Sequence, residues 1–200
     1  MNESAPPRLH PLLALLAALI LAACSGASAG PAPLEGASMG GPFTLTDQQG
    51  RRVSDRDFAG RYRIVYFGFT FCPDVCPVDM QAIGAGLRRF EASDPGRAAR
   101  VVPIFITVDP ARDTPQVLRQ FVGHFHPRAV GLTGSEAEIA QVARAFRIFY
   151  ERGEPGAGGE YAVDHSRIAV LYGPEGQPIA QIPSDQGADA VAAELDRWVR

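Results

Sequence analysis

Two stretches of this chain carry almost no polar residue: Arg63–Phe69 (RIVYFGF) and Val101–Val108 (VVPIFITV). Both are short and rich in β-branched and aromatic residues, the pattern of strands covered on both faces of a sheet. Upstream, Phe43–Thr46 and Arg52–Ser54 flank Asp47-Gln48-Gln49-Gly50, which predicts a hairpin. Between the apolar stretches, Val78–Phe90 has helical spacing. Beyond the second, Pro115–Val122 predicts a helix with Thr114 as N-cap and Pro115 at the first position. Ser135 with Glu138 forms a capping box for a helix running to about Phe146. Arg167–Tyr172 and Gln177–Ile182 enclose Gly173-Pro174-Glu175-Gly176, a second hairpin, and Ala188–Val199 predicts a closing helix. Strands alternating with helices argue for an α/β sheet with a central parallel pair.

Composition narrows the class. The chain has 200 residues, 46% hydrophobic and 20% charged, with a net charge of −3. That length can bury a sizeable core without a disulfide framework. No basic stripe alternates with aromatics, so nucleic acid is excluded as a partner. All 19 cationic side chains are arginine, which rules out a Schiff-base or phosphate-loop lysine.

The first residues read as a leader. Arg8 precedes an apolar run from Leu12 to Ala23, shorter than the ~20 residues of a spanning helix. Leu21-Ala22-Ala23-Cys24 resembles the lipobox of bacterial lipoproteins, which implies cleavage before Cys24 and a lipid on its sulfur. The expected division is a signal peptide at 1–23, a flexible Ser/Gly/Ala/Pro tether at 24–40 and one domain at 41–200. The expected location is the periplasmic side of a bacterial membrane, lipid-anchored, where disulfides persist.

Cys72 and Cys76 lie in FCPDVCP, with turn chemistry between them. Pro77 predicts a helix starting there, with Cys76 at its N-cap and both thiols near the positive helix end. That setting favours thiolate, which is both a nucleophile and a soft metal ligand. Placed just past a buried strand, the pair sits where open α/β sheets bind ligands. The arrangement resembles a thioredoxin-like fold: a central mixed sheet flanked by helices, with an N-terminal β-hairpin and an extra helix added.

Of the histidines, His10 lies in the leader, and His124 and His126 end a helix, where a dipole contact accounts for them. His165, in Tyr161-Ala162-Val163-Asp164-His165-Ser166, enters the strand whose leading turn faces the cysteine loop in such a fold. Two thiolates and an imidazole suit copper, Cu(I) above all with Cu(II) as the alternative state; zinc could take the same ligands plus water. Asp164 or a backbone carbonyl would orient the ring.

Taken together, YFGFTFCPDVCP (66–77), PIFITVDPARDTP (103–115), VGLTGSEAEIAQVARAFRIFY (130–150) and YAVDHS (161–166) resemble the Sco/SenC family of copper chaperones. The resemblance implies a copper site made by Cys72, Cys76 and His165. It implies delivery of copper to the dinuclear centre of cytochrome c oxidase subunit II, with a copper donor and a thiol reductant in the same compartment. An alternative is a thiol–disulfide oxidoreductase, in which Cys72 attacks and Cys76 resolves. A peroxidase of the same fold lacks its P-x-x-x-[TS]-x-x-C pattern here. Asp113 reads as a turn or capping residue, Asp109 as a group that could approach the site, and Met80 as core.

Overall fold

The structure is a computed structural model describing residues 30–200 apart from Ala157; the expected signal peptide and Cys24 lie outside the described residues. Residues Pro31–Arg200 form one compact unit. It therefore starts upstream of the expected position 41. Leu34 donates its N–H to the Ile179 carbonyl at 2.9 Å, and Ala32, Leu34 and Met39 pack on the core.

The first apolar stretch forms β3 (Tyr62–Gly68), preceded by the hairpin β1 (Thr44–Asp47) and β2 (Arg52–Ser54). Then follow α1 (Val75–Ser93), a short α2 (Pro95–Ala98) and β4 (Val101–Thr107). After β4 come α3 (Pro115–Gly123), β5 (Val130–Thr133) and α4 (Glu136–Ala145). The remainder is β6 (Tyr150–Arg152), β7 (Val163–His165), β8 (Ala169–Tyr172), β9 (Pro178–Ile182) and α5 (Ala188–Trp198). One sheet has the order β2-β1-β5-β4-β3-β8-β9, and β6 pairs with β7 in a separate small sheet. β3, β4 and β5 are mutually parallel; β8 joins β3 antiparallel.

The residues of β3 and β4 are all buried, as their apolar sequence requires. Alternation along β3 divides them between two layers. Tyr66 stacks on Phe105, which meets Phe121 of α3, while Phe67 packs against Phe146 beyond α4. Below Tyr66, α1 approaches α5 closely because Gly86 has no side chain: a Cβ there would stand 2.5 Å from Val191.

The parallel pair becomes a trio because of β5, which the pattern did not announce. Its four residues include Gly131, and a Cβ there would come within 3.2 Å of Leu118 and Val122. The glycine lets α3 lie flat on the strand while erasing the strand's hydrophobic signature.

Candidate metal centre

β3 delivers the chain to the sheet edge at Gly68, and the next residues are tied down from β4's end. Asp113 accepts the Thr70 N–H at 3.0 Å, the Thr70 hydroxyl at 2.6 Å and the Thr107 hydroxyl at 2.6 Å. Burial raises its pKa against those hydrogen bonds. Asp113 is thus structural, as expected, but it fastens the cysteine loop rather than capping α3, whose N-cap is Thr114.

The helix after the loop begins at Val75, not at Pro77. Proline is accommodated one turn in because the first N–H groups of a helix have no internal partner. Asp74 precedes α1 without capping it, and the Cys72 sulfur takes that place: the Cys76 N–H points at Cys72 Sγ at 3.4 Å. Cys76 is therefore inside the first turn, not at the N-cap. Its thiol is not favoured as thiolate. Burial pushes the pKa well up, although the Phe69 amide pulls the other way.

Gly68 leaves the room that this buried sulfur occupies. A Cβ at position 68 would lie 2.8 Å from Cys76 Sγ and 3.0 Å from the rings of Tyr66 and Phe105.

His165 arrives from the opposite side on β7, paired with Tyr150 of β6. Ser166 locks the two segments: its N–H donates to the Phe149 carbonyl at 2.9 Å, and its hydroxyl accepts the Phe149 N–H at 3.0 Å. The imidazole Nδ1 sits 3.2 Å from the Ser166 carbonyl. A carbonyl only accepts, so Nδ1 carries the proton and Nε2 keeps a free lone pair. Nε2 faces Cys76 Sγ at 3.3 Å. The orienting group is thus a backbone carbonyl, and Asp164 is exposed. Burial lowers the His165 pKa and keeps the ring neutral, and Phe69 and Tyr66 meet it edge-on.

The ligand atoms of Cys72, Cys76 and His165 lie within 4.8 Å of one another, and both cysteines are free thiols. Cys76 is buried and Cys72 half-buried. This is a soft, three-donor set on a loop, a helix start and a small sheet, open on the Cys72 side.

Asp109 stays outside the donor set: it is fully buried, accepts the Tyr161 hydroxyl at 2.7 Å and pairs with Arg112, anchoring the segment that leads into β7. Met80 is core. The expected dipole contact of a charged His126 is replaced by a buried ring whose charging burial opposes. It accepts the Arg128 N–H at 3.1 Å and faces Glu91 at 3.4 Å.

Sequence reasoning missed a polar chain beneath the sulfur. The Tyr66 hydroxyl, beside Cys76, donates to Asp79 at 2.9 Å, and Arg167 grips the same carboxylate through two contacts of 2.8 Å. Asp79 is wholly buried, whereas the Arg167 side chain is 41% exposed. Tyr66 was hidden inside an apolar stretch, and an Asp on a helix and an Arg after His165 gave no spacing signal.

The SCO1/SenC family model matches residues 31–200. The chain belongs to the SCO1/SenC family. It is 36% identical over 162 residues to the human "Protein SCO1 homolog, mitochondrial", covering 81% of this chain and 53% of that protein. It is 41% identical over 155 residues to the Arabidopsis thaliana "Protein SCO1 homolog 1, mitochondrial", covering 78% and 44%. This SCO1/SenC chain thus spans about half the length of the curated relatives it matches. Among solved structures, Arabidopsis thaliana ScoI, crystallised with copper bound, superposes with a TM-score of 0.73 at 37% identity, covering 80% of this chain and 97% of that one. The thioredoxin-like reading of the fold holds. The expected location does not: these curated relatives are mitochondrial proteins, which overturns the assignment to a bacterial periplasm through a lipid anchor.

Proposed function

We propose that this chain carries copper as cargo, held by the Cys72 and Cys76 thiolates and His165 Nε2, and delivers it to the dinuclear copper centre of cytochrome c oxidase subunit II. The observation that carries the reading is the gathering of those donor atoms within 4.8 Å from separate segments of the chain. Cargo copper replaces the thiol protons, which pass to solvent, so the buried Cys76 thiol loses its proton on binding the metal although burial opposes its ionisation without one. Two sulfurs and one imidazole favour Cu(I) over harder ions, and the copper held by the Arabidopsis relative supports copper over zinc. The Ser166 carbonyl keeps Nε2 presented throughout.

The rim supports transfer to another protein. Phe71, Val78 and Phe149 are the exposed large apolar side chains among the described residues, at 56%, 54% and 61%. Phe71 adjoins Cys72, Val78 lies in the first turn of α1, and Phe149 is bonded to Ser166. Solvent-facing apolar groups gathered round a site mark a docking surface. A copper donor would use the same opening.

A second reading rests on the half-buried, reduced Cys72 beside Cys76. The Cys72 thiolate attacks a disulfide of the oxidase subunit, releasing one partner thiolate. Cys76 then displaces the second, leaving the pair oxidised and the partner reduced. A thiol reductant of the same compartment restores it. Oxidation abolishes the copper site, so the roles alternate.

Anaerobic Cu(I) titration against a competing chelator separates them. His165→Ala should bind copper at least tenfold more weakly while still reducing a disulfide peptide. Unchanged copper affinity in that variant refutes His165 as a ligand.

A further inference from the structure

At the opposite end of β3 from the cysteines, the strand buries an arginine. Arg63 is 6% exposed and pairs across the sheet with Tyr172. Its guanidinium makes one hydrogen bond, from Nη2 to the Gly173 carbonyl at 3.0 Å, and its Nε is buried without a partner. Among the described residues, no carboxylate forms an ion pair with it. Arginine carries five N–H donors and keeps its charge, and burying it with most of those donors unpaired is unfavourable even with the Asp55 charge nearby.

That arginine lines a cavity of about 340 Å³, within the range of ~300–1,000 Å³ typical of small-molecule sites. Phe43, Val65, Phe146 and Tyr172 supply apolar walls. Arg56, Asp55 and Glu175 provide the charges around it. Asp55 accepts the Phe43 N–H at 3.3 Å and attracts Arg63 through space without bonding to it. The hairpin after β8 closes over the guanidinium at Gly176, which adopts a φ of +90°; a Cβ there would lie 3.0 Å from Nη2. The fold thus holds a cation in place beside an apolar chamber and leaves most of its donors free.

We propose that this cavity binds an apolar monocarboxylate, its carboxylate against Arg63 and its hydrocarbon body against Phe43 and Phe146. A planar guanidinium matches a carboxylate with paired hydrogen bonds, and the aromatic walls reward a ring or chain behind it. The same chemistry is offered by a free organic acid and by the C-terminal carboxylate of a peptide. The inference does not rest on the copper reading, since the cavity lies at the other end of the strand.

Isothermal titration of the full chain, with and without copper, should use four probes. They are 4-phenylbutyrate, 4-phenylbutan-1-ol, a tripeptide ending in a Phe carboxylate, and the same tripeptide amidated. Binding of 4-phenylbutyrate with a Kd on the order of a millimolar or tighter is expected, and at least tenfold weaker binding of the alcohol. If the tripeptide acid also binds over its amide, the natural ligand class extends to peptide termini; if the free acid alone binds, it is a small organic acid. Arg63→Gln should lose at least tenfold in affinity for 4-phenylbutyrate and keep its copper affinity. Equal binding of acid and alcohol to the unmodified chain, or binding of neither acid, overturns the proposal whatever the variant's stability.

Discussion

Gly68→Ala tests whether the sheet edge is shaped around the buried sulfur. The added methyl would stand 2.8 Å from Cys76 Sγ, with the Tyr66 and Phe105 rings at 3.0 Å closing its other sides. Both rings are fully buried and Cys76 has a single rotatable side-chain bond, so the sulfur is the group that yields. A comfortable contact is ~3.5 Å or more, so Sγ must retreat by roughly 0.7 Å. Ligand geometry tolerates only about 0.5 Å. Overpacking of this kind also costs about 1–3 kcal/mol. Urea unfolding of the reduced, copper-free protein should show that loss, and chelator competition should show Cu(I) affinity falling about tenfold. Gly131→Ala is the control. Its Cβ would crowd Leu118 at 3.1 Å and Val122 at 3.2 Å on α3 rather than the cysteine sulfur, so it should destabilise without changing copper affinity. If Gly68→Ala binds copper as tightly as the unmodified chain while losing similar stability, the glycine is not making room for the ligand.

Further outcomes follow from the polar groups. Asp113→Ala removes a buried carboxylate that holds Thr70 and Thr107; urea unfolding should show a loss of about 3–5 kcal/mol, with Asp113→Asn milder because the amide keeps one acceptor. Asp79→Ala strips Tyr66 and Arg167 of their shared acceptor; the half-exposed arginine rehydrates, so the loss should be about 2–3 kcal/mol by the same measurement, and adding Arg167→Ala to that variant should cost little more. Glu138, bonded to Arg52 and to the Ser135 amide, has its pKa lowered from 4.5 to about 2. A depressed folded-state pKa stabilises above the unfolded value and is lost as pH falls through the folded one. The difference in urea midpoint between wild type and Glu138→Gln should therefore be present at pH 7 and vanish between pH 4.5 and about 2; a difference unchanged across that window would show that the charge is irrelevant.

Strong local chemistry made much of the fold readable. The β3 and β4 stretches, the Ser135–Glu138 capping box and Thr114-Pro115 each act within a few residues, and each appears where the pattern placed it. β5 and β6 did not show, because Val130–Thr133 and Tyr150–Arg152 are too short for periodicity and exist through pairing with distant strands. At the site, Cys72, Cys76 and His165 announced themselves by residue type. The start of α1 did not, because a cysteine sulfur rather than a usual capping side chain receives its N–H. The thiolate expectation at Cys76 failed for a related reason: helix position is visible in sequence, whereas burial under β3 and His165 depends on the whole fold. Tyr66, Asp79 and Arg167 come together from three elements, and no local rule links them.

The most direct measurement is X-ray absorption of the Cu(I)-loaded reduced chain beside its His165→Ala variant. One copper per chain, with two sulfur neighbours and one nitrogen neighbour that disappears in the variant, is the expected result. A purely sulfur shell in the unmodified protein, or spectra that do not change on removing the imidazole, would contradict the proposed site.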